Sequence, residues 1–143
     1  MVYIAAYQPD AGESLATLTE KNPGATKAIK KTADNFLYID PARFHADFAA
    51  DVPVAVTRFM AASQVMPNVK AFTDPVSKAA WKTKPSWALV ATSDRTVNPE
   101  LERFMSKRAG SKVVEVNSSH VAFLSHPADV ARLIEQAAAG SAK

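Results

Sequence analysis

Cysteine is absent from the 143 residues. Disulfides, thiolate metal sites and cysteine nucleophiles are therefore excluded, and the redox compartment stays open. Glycine is scarce, at 4 residues. The chain has no glycine-rich turn between a strand and a helix, which counts against a dinucleotide-binding or flavodoxin-like domain. No apolar run approaches the roughly 18 residues of a membrane span. The opening "MVYIAAYQPD" has no basic region of the kind that begins a signal peptide. The three histidines, His45, His120 and His126, show no metal-ligand spacing, so neither a metal nor a cofactor is expected. Lysine and arginine outnumber aspartate and glutamate by 17 to 14, a net charge of +3. The basic runs "KAIKK" (27–31) and "KRAGSK" (107–112) carry no interleaved aromatics. They read as solvated faces, not as a nucleic-acid surface.

What is present suits one globular domain. Hydrophobic residues make up 48% and charged residues 22%, enough apolar material for a core. Two continuous apolar runs predict strands buried in a parallel sheet, "VYIAAY" (2–7) and "SWALVAT" (86–92), and "KVVEV" (112–116) reads as a third strand.

Between the first two strands the chain reads as helix-rich. Asp40–Pro41 marks a helix start, with Asp40 as cap and Pro41 in the first turn. Asp51 reads as the cap of the next helix, which carries Val56, Phe59, Met60 and Ser63 at helical spacing. A further helix is expected from Asp74 to Trp81. After the second strand, "NPELERFMSKRAG" has several agreeing signals. Asn98 is the cap, Pro99 is first, and Glu100 and Glu102 lie in the first turn. Lys107 and Arg108 precede the terminating Gly110. Its expected stripe is Leu101, Phe104 and Met105. The last helix, 127–140, has the stripe Val130, Leu133, Ile134 and Ala137. Strand, long helical insertion, strand, helix, strand, turn, helix is an α/β order.

In an open parallel sheet, function collects at the carboxyl ends of the strands. Asp94 follows the strand 86–92, and His120 follows the strand 112–116 across the turn "NSSH". One helix joins the two strands, so a right-handed crossover makes them neighbours. A hydrogen bond from His120 to Asp94 would orient the imidazole and favour its charged form, as a general base requires. The bland alternative stays open on spacing alone: Asp in "SDR" as a turn-former and His120 as an ordinary turn residue. Ser118 and Ser119 read as turn residues, because a serine adjacent to a histidine cannot easily present its hydroxyl to that ring. His45 and His126 read as structural or exposed, His126 at the start of the last helix.

The motifs "ATSDR…P", "NSSH" and "FLSHP", set in "KPSWALVATSDRTVNPELERFMSKRAGSKVVEVNSSHVAFLSHPADVARLIEQAA", resemble the final strand–helix–strand–helix of an α/β-hydrolase. The likeness is to the branch of small esterases and hydroxynitrile lyases. "VYIAAYQPDAGES" resembles that family's sixth strand and following loop, and "MAASQ" the end of its helical cap. The resemblance implies a partial α/β-hydrolase fold with about three parallel strands. Residues 1–12 and 81–143 would form the core and 13–80 the cap or lid. The family's acid maps onto Asp94 and its histidine onto His120, and acid-before-histidine is the superfamily's order. Phe44, Phe48, Phe59, Met60, Met66 and Trp81 could line a substrate pocket under the cap, with Phe59, Met60 and Trp81 as the chosen candidates. They equally suit the apolar faces of cap helices.

One departure limits the expectation. The family's nucleophilic serine sits in a G-x-S-x-G elbow, and no such motif occurs here. Gly12–Glu13–Ser14 is followed by Leu15 and Ala16 and lacks the closing glycine. The resemblance thus covers the later part of a hydrolase domain and implies earlier strands ahead of Met1. Two readings follow. The chain supplies acid and histidine toward a small ester-like substrate when another chain or a preceding segment provides the serine. Alternatively it is catalytically inactive and self-associates into a homo-oligomer through its N-terminal strand. No nucleic-acid or membrane partner is expected.

Overall fold

The computed structural model describes residues 1–141. Its centre is a parallel sheet of three strands in the order β1 (Val2–Ile4), β4 (Trp87–Ala91), β5 (Lys112–Val116). Every residue of β4 is buried, as its unbroken apolar run requires. Trp87 and Leu89 face the helix α7 (Pro127–Ser141), which follows the short α6 (Ala122–Ser125) and packs Val130, Leu133 and Ala137 against them. Val2, Ile4, Val114 and Val116 complete that layer from the flanking strands. A second layer forms around α5 (Pro99–Arg108), whose Leu101 and Met105 pack with Leu18 and Tyr7.

Two expected stripe positions lie outside these cores. Ile134 is 48% exposed and Phe104 52% exposed, the latter with the Arg108 guanidinium 5.2 Å from its ring centre. Two of the three expected caps, Asp40 and Asn98, follow the reading of the sequence, and Asp51 does not. The Asp40 carboxylate accepts from the Ala42 N–H at 3.0 Å, and the Asn98 side chain accepts from the Glu100 N–H at 2.9 Å.

The first strand is shorter than "VYIAAY" predicts. It stops at Ile4 because Ala5 adopts φ 45°, a left-handed conformation that turns the chain out of the sheet. Between β1 and β4 stand α1 (Leu15–Lys21), a hairpin of β2 (Ile29–Lys31) and β3 (Leu37–Ile39), α2 (Pro41–Phe48), α3 (Val54–Ala62) and α4 (Lys70–Thr73). The antiparallel hairpin was not expected there. Its turn, 32–36, is closed by Thr32 N–H donating to the Phe36 carbonyl, with Asn35 at φ 67°. Asparagine tolerates that conformation and is the local signal for such a turn.

The helix expected over 74–81 is absent. Val76 is instead drawn out between Gly12 and Glu13, accepting from Gly12 N–H at 2.8 Å and donating to the Glu13 carbonyl at 2.9 Å. Only a single 3₁₀ turn, Ala80–Lys82, follows. The segment then enters β4. Among the described residues no helix is long and apolar enough to cross a membrane.

Candidate active site

The carboxyl ends of β4 and β5 lie side by side because the strands pair in register from Trp87–Lys112 to Ala91–Val116. The loops that leave them are tied together. Thr92 N–H donates to the Val116 carbonyl, Ser93 N–H to the Ser118 carbonyl, and the Ser93 hydroxyl to Asn117 Oδ1 at 2.6 Å. Strand pairing therefore continues into the two turns that carry Asp94 and His120.

The Asp94 carboxylate forms a turn with one oxygen and meets His120 with the other. Its Oδ1 accepts from the Thr96 and Val97 N–H groups at 2.7 and 3.1 Å, an Asx-type turn. Its Oδ2 accepts from His120 Nδ1 at 2.6 Å. The Asp94 side chain is fully buried and that of His120 is 23% exposed. A carboxylate at Nδ1 fixes the tautomer with the proton on that nitrogen, which leaves Nε2 free to accept one. The Phe48 ring packs on the imidazole, ring centres 4.8 Å apart.

Asp51 plays a part that the sequence did not reveal. It caps no helix: α3 begins after Pro53 with no side-chain cap. Its carboxylate accepts from the Ser119 N–H at 2.9 Å and from the Ser119 hydroxyl. Burial pushes the Asp51 carboxyl up, but the bonds from Ser119 outweigh it and hold the group below the usual carboxylate range. The residue before His120 is thus anchored to the α2–α3 corner, 68 residues earlier in the chain.

Arg95 ties the acid loop to α2. Its Nε donates to Asp47 Oδ1 at 3.0 Å, and Arg43 Nη2 reaches the same oxygen at 3.1 Å. Burial pushes Asp47 up, yet bonds from Arg43, Thr26 and Arg95 leave it lowered. Gly24 packs against the same loop so closely that a Cβ there would lie 2.2 Å from the Thr96 carbonyl oxygen.

His120 opens on a cleft of about 1250 Å³. Ala5, Tyr7, Leu15, Phe44, Phe48 and Met60 are among its walls, which are mostly apolar. Of the chosen pocket candidates, Met60 lines the cleft. Phe59 is 73% exposed and is not part of the cleft wall. Trp81 stands away from the cleft wall, its indole N–H donating to the Pro9 carbonyl at 2.9 Å beside the Arg108 guanidinium. Helical spacing alone cannot say which of two adjacent residues, Phe59 or Met60, faces inward.

The remaining polar candidates have local partners. Ser14 caps α1. His45 Nδ1 lies 3.3 Å from the Thr57 hydroxyl and His126 Nδ1 lies 3.0 Å from that of Ser125. Among the described residues no serine hydroxyl is hydrogen-bonded to His120, and no group of three or more His, Asp or Glu is placed to hold a metal ion.

Comparison with solved structures gives the same architecture. A pyrethroid hydrolase superposes with a TM-score of 0.77 at 21% identity, covering 99% of this chain and 61% of that one. Polyneuridine aldehyde esterase gives 0.74 at 15% identity, covering 94% and 60%. A methylesterase from Arabidopsis gives 0.74 at 15% identity, covering 96% and 58%. At these identities the likeness establishes the fold alone. The chain spans about three fifths of the length of each of these proteins. No curated protein sequence matches at a significant level. The sequence profile described as "Alpha/beta hydrolase family" matches residues 2–133, which is nearly the whole chain. With a parallel sheet of hydrolase type and that match, the chain belongs to the α/β-hydrolase family.

Proposed function

We propose that this chain carries the acid and the histidine of a Ser-His-Asp triad for carboxylic-ester hydrolysis, and that the serine comes from a segment outside these residues. The single observation that carries the reading is the 2.6 Å contact between His120 Nδ1 and the buried Asp94 carboxylate at the mouth of an apolar cleft. In this reading His120 Nε2 takes the proton from the attacking serine hydroxyl and returns it to the leaving alkoxide. Asp94 stays ionised, keeps the tautomer and stabilises the imidazolium. Residues 13–80 act as the cap, with Phe44, Phe48 and Met60 offering apolar surface to the ester's acyl or alkyl group.

The test compares two proteins. One is the chain alone; the other is the chain with the preceding segment of a structurally similar hydrolase fused ahead of it. Hydrolysis of a 4-nitrophenyl ester is followed for both. The expected result is little turnover alone, a gain on fusion, and loss of the gain in His120→Ala. Turnover that His120→Ala leaves untouched overturns the assignment.

A second reading is favoured by a different observation. β1 pairs with β4 alone, so its other edge has no partner among the described residues. An unpaired edge strand recruits another strand. In this reading two copies associate through β1 and the assembly is non-catalytic. Sedimentation velocity at micromolar concentration should show a dimer or larger species; a compact monomer rules this out.

A further inference from the structure

The acid loop has a second buried carboxyl group behind it. Glu102, in the first turn of α5, is 2% exposed. A glutamate so near a helix start reads in sequence as a solvated partner of the helix dipole. Here the helix lies with that face on the sheet. Glu102 Oε2 accepts from the Ala91 N–H, at the end of β4, at 3.2 Å, and its Oε1 is buried and receives no donor. Asp94 meets the same residue from the other side, its N–H donating to the Ala91 carbonyl at 3.0 Å, so the two carboxyl groups are neighbours and the charge of Asp94 acts on Glu102.

Two facing carboxyls in a dry site do not both ionise. The donors around each decide which keeps the charge. Asp94 receives the Thr96 and Val97 N–H groups and His120 Nδ1. Glu102 receives the Ala91 N–H alone. The other groups that face the pair do not change this order. Tyr7, from the segment after β1, is itself raised by burial and bonds to Thr19. Arg103, on the same helix, is engaged by Glu100 and Glu115.

We infer that Glu102 is a positioning residue for the Asp94–His120 pair: as a neutral acid it accepts from Ala91 at one oxygen and donates a hydrogen bond to the Asp94 carboxylate from the other. Burial, and then the charge of Asp94, pushes the Glu102 carboxyl up to about 9, which agrees with the neutral form. Its donated bond shares the negative charge of Asp94 and limits how strongly that carboxylate raises the basicity of His120. It also fixes the rotation of Asp94 so that Oδ2 faces the imidazole.

The catalytic meaning rests on the acid–histidine reading above. The test is therefore an equilibrium measurement on the isolated chain, whose failure is distinct from failure of the ester assay. The carboxyl carbon of Glu102 and the ring of His120 are followed by NMR from pH 4 to pH 10. The expected carboxyl signal at pH 7 is that of the neutral acid; an ionised Glu102 at pH 7 overturns the proposal. Glu102→Gln keeps both an acceptor for Ala91 and a donor for Asp94, so the His120 midpoint should stay within about 0.2 of a pH unit. A fall of about half a unit or more would mean that Glu102 acted as a charge, and overturns it. Glu102→Met fills the volume without a donor and should raise the His120 midpoint by about 0.3 of a unit or more. A folded Glu102→Met protein with an unmoved midpoint shows a packing role only and overturns the proposal. If that variant does not fold, the carboxyl signal and Glu102→Gln still decide.

Discussion

Asp51 holds Ser119 by both its backbone N–H and its hydroxyl, and so fixes the residue that precedes His120. The histidine is therefore clamped from two directions: by Asp94 on the ring and by Asp51 on the backbone beside it. Neither clamp is local in the chain, since they span 26 and 68 residues.

Asp51→Ala removes the backbone clamp and leaves a buried N–H and hydroxyl without an acceptor. Each such loss costs about 1–3 kcal/mol. Thermal unfolding should show the loss. Amide exchange should quicken at 118–120 while α7 stays protected. Uniformly faster exchange over the whole chain would mean global weakening, not loosening of this turn.

Gly24→Ala tests the contact between the segment after α1 and the acid loop. The added Cβ would meet the Thr96 and Arg95 carbonyl oxygens at 2.2 and 2.9 Å, both backbone and unable to swing away. Overpacking of this kind costs about 1–3 kcal/mol and should shift the amide signals of 94–97. Gly12→Ala is the control. Nothing lies within 4 Å of its Cβ position, but its φ of 85° makes a side chain costly by about 1 kcal/mol. Equal chemical-shift changes at 94–97 in both variants would remove the steric explanation.

Asp47→Asn should weaken the tie between α2 and Arg95 by about 2 kcal/mol at neutral pH, the half-exposed arginines moderating the effect. The folded-state pKa of Asp47 is depressed. Its contribution is therefore complete above the unfolded pKa and is lost as pH falls through the folded one. Denaturant unfolding should show the gap between wild type and variant narrowing below about pH 4. A gap that stays constant down to pH 2 would contradict the ion-pair account.

Glu102 has the opposite sign. Its folded-state pKa, about 9, lies above the unfolded value. Stability is complete below the unfolded pKa and declines as pH rises toward 9. The decline approaches about 1.4 kcal/mol per pH unit for one such group. Glu102→Gln removes the titration, so the variant should gain on wild type between about pH 5 and pH 8.5. Urea midpoints across that range measure it. Parallel pH profiles for the two proteins would refute it.

Local chemistry made much of this fold legible. The apolar run of β4, the Asn98–Pro99 start of α5 and the Asp40–Pro41 start of α2 are written within a few residues of where they act. So was the place of Asp94 and His120, because strand ends and turns have short signals and the crossover rule makes the two strands neighbours. The hairpin 29–39 was missed although Asn35 marks its turn, because its strands are short and one of them, Ile29–Lys31, is wholly exposed.

Other features are decided by parts of the chain that meet only in the folded state. Val76 abandons helix for a bridge to Gly12 and Glu13, contacts more than 60 residues away in sequence. Asp51 trades a helix cap for Ser119, Phe59 turns outward while Met60 turns in, and Glu102 goes under the sheet instead of into water. Patterning and turn residues act over a few positions, and they specified the three parallel strands, the caps Asp40 and Asn98, and the strand-end turns that carry Asp94 and His120. Which carboxyl is buried, which is paired and which is neutral depends on the surfaces that packing brings together, so the tertiary structure alone assigned Asp51 and Glu102 their places.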